Sequence, residues 1–126
     1  MAADWSPRAL VPIHELSLMM ALGERVVAVA TREGAQRVRA IHLRVGRLAG
    51  VEPHALRLAA QIVLADTLAQ GARLVIDEVP AIFWCAPCSA EFLAPDGYGP
   101  CPLCGAPSRA LRQGRELTLH AVELEP

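Results

Sequence analysis

The sequence predicts an α+β fold: a small mixed sheet with two helices, plus an inserted four-cysteine zinc ribbon. Three observations predict it. Two segments carry apolar residues at helical spacing, and others alternate with the period of a strand. Two Cys-x-x-C pairs, Cys85/Cys88 and Cys101/Cys104, stand close together in the chain. The strand pattern resumes after the second pair, so we expect both ends of the cysteine module to return to one sheet.

Both helices are predicted from their apolar and polar stripes. The first runs from Leu16 to near Gly34, since its apolar or small residues recur about every 3.6 positions. The second opens at Glu52-Pro53, because proline is favoured in the first turn of a helix. Its polar residues form one stripe, and its other faces are expected to pack; the stripe consists of His54, Arg57 and Gln61.

Three strands are predicted, over residues 38–46, 72–79 and 116–124. The first has apolar residues on one face, and Pro80 ends the second. Residues 1–12 show no clear period and are expected to form a flexible extension. The predicted domains are therefore an α+β domain over 13–80 and 112–126, and a ribbon over 81–111.

The composition and net charge indicate a globular protein and argue against some classes of function. The 126 residues include 53% hydrophobic ones, enough for a core, and the formal net charge is −1. A nucleic-acid-binding protein is expected to carry a basic patch, and this charge balance argues against one. The sequence has neither an export signal nor an apolar stretch long enough to cross a membrane. We therefore expect a cytoplasmic protein that binds neither nucleic acid nor membrane.

The cysteine spacing predicts a metal site. Twelve residues separate the two Cys-x-x-C pairs, the spacing of a zinc ribbon, and four thiolates can surround Zn²⁺ tetrahedrally. Such a site has no open position, so its role is structural. In a reducing compartment, metal ligation is also favoured over disulfides.

Two other interpretations of the cysteines stay open. Trp84-Cys85-Ala86-Pro87-Cys88 has the look of a thioredoxin-type redox motif, although prolines and glycines follow where a helix would be needed. Iron in the same four thiolates would make a rubredoxin-like electron carrier, because ligand type alone does not separate the two metals. Zinc is the favoured ion.

Residues outside the cysteines give weak signals when taken alone. His14 and the other histidines, His42, His54 and His120, are surface residues by default, since their spacing forms no ligand pair. Ser17 has no sequence-supported base, and the chain has no P-loop. We therefore expect a protein that is not an enzyme.

Four blocks together resemble the HypA/HybF family of nickel-insertion proteins, from about His14 to Leu124. They occur in the family's order and spacing, and consist of His14–Met19, Arg44–Pro53, Val79–Ala81 leading into the cysteines, and Gly114–Leu117. The resemblance implies a nickel-binding α+β domain joined to a zinc ribbon. It also implies a metallochaperone that receives Ni²⁺ and, with the GTPase HypB, delivers it to the large subunit of nickel–iron (NiFe) hydrogenase. Urease maturation proteins are further partners of some relatives, and a monomer or weak homodimer is expected.

The resemblance assigns two metal sites. Structural Zn²⁺ falls on Cys85, Cys88, Cys101 and Cys104, and transferable Ni²⁺ falls on His14. Glu15 beside it is a candidate nickel second-shell group or partner contact, although an exposed glutamate at a helix start is equally explained by the helix dipole. A zinc-ribbon adaptor without nickel transfer is the alternative function, together with the rubredoxin-like carrier.

The chain departs from the family's pattern at the start of the first block. In the family a terminal Met-His-Glu lets the free amine join the histidine around nickel. Here Ile13 takes the place of that methionine and twelve residues precede it. Three explanations stay open: a start or processing site near residue 13, other donors supplied by the extension, or a different nickel geometry.

Overall fold

The computed structural model describes residues 13–126, and the predicted extension over residues 1–12 lies outside them. The α+β class is confirmed, and the first helix starts three residues before Leu16. The elements in chain order are α1 (Ile13–Arg32), β1 (Arg37–Gly46), α2 (Pro53–Val63), β2 (Arg73–Val79), β3 (Ala81–Cys85), β4 (Ala90–Ala94), β5 (Leu111–Gln113) and β6 (Leu117–Glu125).

The strands form two three-stranded sheets. One has the order β2-β1-β6, so the strand after the cysteine module returns to the side of β1. The other has the order β4-β3-β5 and contains the strands of that module. β3 and β4 pair antiparallel, with Phe83 opposite Phe92, and the pairing of β3 with β5 shifts register at Ile82/Phe83.

The described chain divides into two compact units. Unit 1 comprises residues 13–40, Glu52–Leu74 and Val122–Pro126. Unit 2 comprises Ile41–Val51 and Val75–Ala121. The division into domains at residues 80/81 and 111/112 stays a prediction.

The core of unit 1 lies where α1 packs against α2. The buried residues of α1 recur at helical spacing and meet a buried stripe of α2; they are Met19, Leu22, Val26 and Ala30, facing Leu56, Ala59 and Ala60. A β-carbon on Gly23 would lie 3.2 Å from Leu64 Cδ2, so glycine allows the close approach. The polar stripe predicted for α2 is exposed, but Ile62 is also 57% exposed and so departs from the expected packing.

Backbone hydrogen bonds connect the turn that follows β1 to two other segments of unit 2. The backbone N–H of Gly46 donates to Glu116 O at 2.6 Å, that of Arg47 to Val79 O at 2.8 Å, and that of Leu48 to Gly114 O at 2.6 Å. Three successive residues thus bond to the segment before β6 and to the end of β2. These bonds fix where the chain enters and leaves the cysteine module.

Candidate metal sites

The first cysteine pair is formed by the hairpin between β3 and β4. Cys85 is the last residue of β3 and pairs with Ala90, and a turn at 86–89 carries Cys88. Ser89 has a positive φ of 50°, which lets the chain reverse directly into β4. A strand therefore follows Cys88, in place of the helix that activates a thioredoxin-type cysteine.

The second cysteine pair lies on a tight turn outside the strands. Gly105 N–H donates to Cys101 O at 2.8 Å, and Cys101 N–H donates to Ala106 O at 2.9 Å. Gly105 has φ 74°, a conformation that glycine adopts without steric cost. The turn thus directs Cys101 and Cys104 to the same side.

The four sulfur atoms converge on one point. All lie within 4.8 Å of one another, with Cys85 Sγ 3.5 Å from Cys104 Sγ and Cys88 Sγ 4.0 Å from Cys101 Sγ. A disulfide would need about 2.05 Å, so all four are free thiols. Around them pack Phe92, Phe83 and Ala106, and the two phenyl rings stack with centroids 5.9 Å apart.

Backbone hydrogen bonds and neighbouring thiols set the acidity of the cluster. The N–H groups of Cys104 and Leu103 lower the pKa of Cys101 to about 7. The thiols of Cys104 and Cys85, together with burial, raise the pKa of Cys88 to about 12. The N–H of Cys88 acts to lower the pKa of Cys85, but burial and the thiols of Cys104 and Cys101 outweigh it, so that pKa is raised. Of Cys85, Cys88 and Cys101, Cys101 is thus the thiol that ionises most readily, and ionisation of all three calls for a cation.

The cluster fits a tetrahedral metal ion. With Zn–S bonds of about 2.3 Å, the edges of the tetrahedron are about 3.8 Å long, and the sulfur pairs at 3.5 Å and 4.0 Å lie on either side of that value. The donors are four soft thiolates, which suit zinc, and they fill the coordination shell. Four thiolates bound to one ion would leave no position for a reacting ligand.

His14 belongs to a different unit from the cysteines. It is the second residue of α1, is exposed and belongs to unit 1, whereas all four cysteines belong to unit 2. Among residues 13–126, the cysteines are the one group of three or more close metal-ligating side chains. The assignment of nickel to His14 therefore stays a prediction.

Glu15 differs sharply from its neighbour. Its side chain is buried, with a relative exposure of 5%. Glu15 Oε2 accepts a hydrogen bond of 3.0 Å from the backbone N–H of Glu52. The structure thus places Glu15 against the start of α2, where little of its surface is open to a partner. Its role as a nickel second-shell group or partner contact stays a prediction.

Sequence reasoning located Glu52 as a helix start but missed what it does. Glu52 is the N-cap of α2, and its carboxylate accepts from Ala55 N–H at 2.6 Å. An acidic residue directly before proline was the available signal, since acidic side chains cap helix N-termini. The hydrogen bond from its own N–H to Glu15 has no such local signal.

Similarity to known proteins extends over nearly the whole described chain. A family model described as "Hydrogenase/urease nickel incorporation, metallochaperone, hypA" matches residues 13–124. The chain belongs to the HypA family. The family resemblance predicted from the sequence is therefore confirmed, and the family is one of nickel metallochaperones for hydrogenase maturation.

Individual HypA relatives agree with this. The hydrogenase maturation factor HypA of Synechococcus elongatus is 42% identical over 112 residues, covering 89% of this chain and 99% of the relative. The maturation factor HybF of Klebsiella pneumoniae is 39% identical over 113 residues, covering 90% and 100%.

Solved HypA structures share the fold. The solution structure of the Ni metallochaperone HypA from Helicobacter pylori matches with a TM-score of 0.61 and 23% identity, covering 88% of this chain and 97% of that one. A second solution structure of a HypA protein matches with a TM-score of 0.65, covering 90% and 97%. Within the described residues, neither helix has the length and hydrophobicity that a membrane crossing requires.

Proposed function

We propose that this protein binds Ni²⁺ at His14, holds structural Zn²⁺ in its four cysteines, and works in the cytoplasm. With the GTPase HypB, it delivers nickel to the large subunit of NiFe hydrogenase. Urease maturation proteins are further candidate partners. The protein itself catalyses no reaction, and it is a monomer or weak homodimer.

One observation carries the division between the two metals. The four sulfur atoms converge, each within 4.8 Å of the others, as a closed four-thiolate metal site requires. A closed set of soft ligands retains its ion, so a transferable ion needs a different and more open site. His14 is exposed at the start of α1 and lies within the stretch that matches the family. Imidazole is a ligand that suits nickel.

Calorimetric nickel titration of zinc-loaded protein tests the proposal. The chain offers a matched control, because His14 and His54 are each an exposed second residue of a helix. We expect the wild type and His54→Ala to bind about one equivalent of nickel, and His14→Ala to lose this binding while it keeps its zinc. A further variant that begins with methionine at position 13 tests the contribution of residues 1–12.

The outcomes separate the alternatives. If His14→Ala binds nickel as the wild type does, the nickel site proposed here is wrong. If the wild type binds zinc but no nickel, the zinc-ribbon adaptor is the better account. Iron in the purified protein, with a reducible absorption band, would favour the rubredoxin-like carrier.

A further inference from the structure

Two glutamates meet at the start of α2. The carboxylate of Glu52 accepts from Ala55 N–H at 2.6 Å, and the carboxylate of Glu15 accepts from Glu52 N–H at 3.0 Å. Both acceptors also place negative charge near the positive end of the helix dipole. Two backbone N–H groups at the start of α2 therefore have side-chain acceptors: one is the N-cap residue Glu52 itself, and the other is Glu15 from α1.

This pattern has the form of a capping box completed from another helix. In the usual box, the N-cap side chain bonds the N–H of the third helical residue, and that residue's side chain bonds the N–H of the N-cap. In α2 the third residue is Ala55, whose side chain has no acceptor. Glu15 of α1 supplies the missing acceptor. Its carboxylate thus ties the first turn of α1 to the N-terminus of α2.

The hydrogen bond between Glu15 and Glu52 also restricts the neighbouring residue, His14. In the first turn of α1, Ile13 is 81% exposed and His14 is exposed, whereas Glu15 is 5% exposed. Helix ends fray unless something holds them. Since Glu15 directly follows His14, its bond to Glu52 limits where the His14 backbone and imidazole can lie.

We propose that Glu15 is a positioning residue for nickel binding: its hydrogen bond to the Glu52 N–H holds the first turn of α1, and so His14, in place for the ion. The inference rests on the proposed function. The positioning role requires that the Glu15 side chain be long enough to place an acceptor oxygen at the Glu52 N–H. It does not require a negative charge. It therefore differs from a role as a nickel ligand or as an anionic second-shell group.

Two substitutions of Glu15 separate the effect of side-chain length from the effect of charge. Glu15→Gln keeps the length of the side chain and an acceptor oxygen, whereas Glu15→Asp keeps the charge but is one methylene too short. Glu24→Gln is the matched control, because it removes one charge from an exposed position of α1. In calorimetric titration of zinc-loaded full-length protein, we expect Glu15→Asp to weaken nickel binding about tenfold and Glu15→Gln to stay within about threefold of the wild type. Glu24→Gln should bind as the wild type does.

Hydrogen exchange in nickel-free protein tests the bond itself. The amide of Glu52 should exchange faster in Glu15→Asp than in the wild type, and Glu15→Gln should restore its protection. This readout also serves if Glu15→Asp is too unstable for titration, since Glu15→Gln and the wild type can still be compared. A role limited to stability would lower the melting temperature of Glu15→Asp without changing the nickel affinity of the folded protein.

The failures are distinguishable. If His14→Ala binds nickel as the wild type does, the proposed function is overturned whatever the Glu15 variants show. If His14→Ala loses nickel while Glu15→Asp and Glu15→Gln both bind normally, only the positioning role is overturned. Retained binding in Glu15→Asp with loss in Glu15→Gln would show that charge decides, and would also overturn it.

Discussion

Gly46 and Gly114 lie so close together that a β-carbon on Gly46 would clash with the backbone carbonyl group of Gly114. The neighbouring Arg115 nitrogen would be only 2.6 Å from the same carbon. Both neighbours are backbone atoms, which cannot rotate away as a side chain can. Gly46 is therefore required by packing at the turn that organises unit 2.

Gly46→Ala should destabilise the protein by about 3 kcal/mol, because backbone segments must separate to admit the methyl group. Gly34→Ala is the comparison: nothing lies within 4 Å of its β-carbon position, and only its φ of +68° opposes the change. There we expect a loss of about 1 kcal/mol. Urea denaturation measures both, and equal losses would contradict the packing argument.

Met19 and Met20 form a matched pair in α1. Met19 is fully buried and Met20 is 54% exposed. Met19→Ala should therefore lower the free energy of unfolding by about 3 kcal/mol through lost burial and a residual cavity. Met20→Ala should change it by less than about 0.5 kcal/mol. Chemical denaturation of both variants checks this, and the assignment of the core fails if Met20→Ala proves the more damaging.

Removing one thiol should release the ion from the cysteine cluster. We expect Cys101→Ser to reduce the zinc content from about one equivalent to near zero, since a closed structural site depends on its full ligand set. Leu103→Ala is the control in the same turn: its side chain is 84% exposed, and its backbone N–H remains. Elemental analysis after purification measures the zinc. Full zinc in Cys101→Ser would argue against the cluster as the zinc site.

The acid stability of unit 1 should depend on Glu125. The hydrogen bond from Arg39, and then the charge of Arg37, lower the pKa of Glu125. The distances are 3.3 Å from Arg39 Nη2 to Oε1 and 2.8 Å from Arg37 Nε to Oε2. Because the pKa is lower in the folded state, this stabilisation is present above the pKa of the unfolded state. It is lost as the pH falls through the folded pKa.

Replacing Arg39 with Gln should raise the pKa of Glu125 toward its ordinary value. Carboxyl NMR titration of the wild type and of Arg39→Gln measures the change. Glu125→Gln should, in turn, flatten the dependence of stability on pH in the acid range. An unchanged titration midpoint in Arg39→Gln would mean that the contact does not form in solution.

The sequence was sufficient for elements with a long, regular pattern. The stripe of α1 extends over several turns, and the alternation of Ile41, Leu43 and Val45 matches their burial in β1. The cysteine pairs could also be predicted from the sequence, because each Cys-x-x-C is a local turn whose ligand geometry depends on few residues. The short strands β3, β4 and β5 were not predicted individually, since three to five residues are too few to display a period.

The tertiary role of Glu15 could not be read from the sequence. Its hydrogen-bond partner lies 37 positions away, at the backbone of Glu52. No side-chain pattern records a bond to a backbone N–H at that separation. An acidic residue in a first helical turn is, moreover, already explained by the helix dipole. Only the packing of α1 on α2 distinguishes this glutamate from a solvated one.

The four thiols differ in their exposure to solvent. Cys85 and Cys101 are buried, Cys88 is partly buried, and Cys104 is exposed. A chelator or an oxidant arriving from water therefore meets the sulfur of Cys104 before the others. We therefore expect an ion held by the four sulfurs to be removed from the Cys104 side first and to leave the two buried cysteines last.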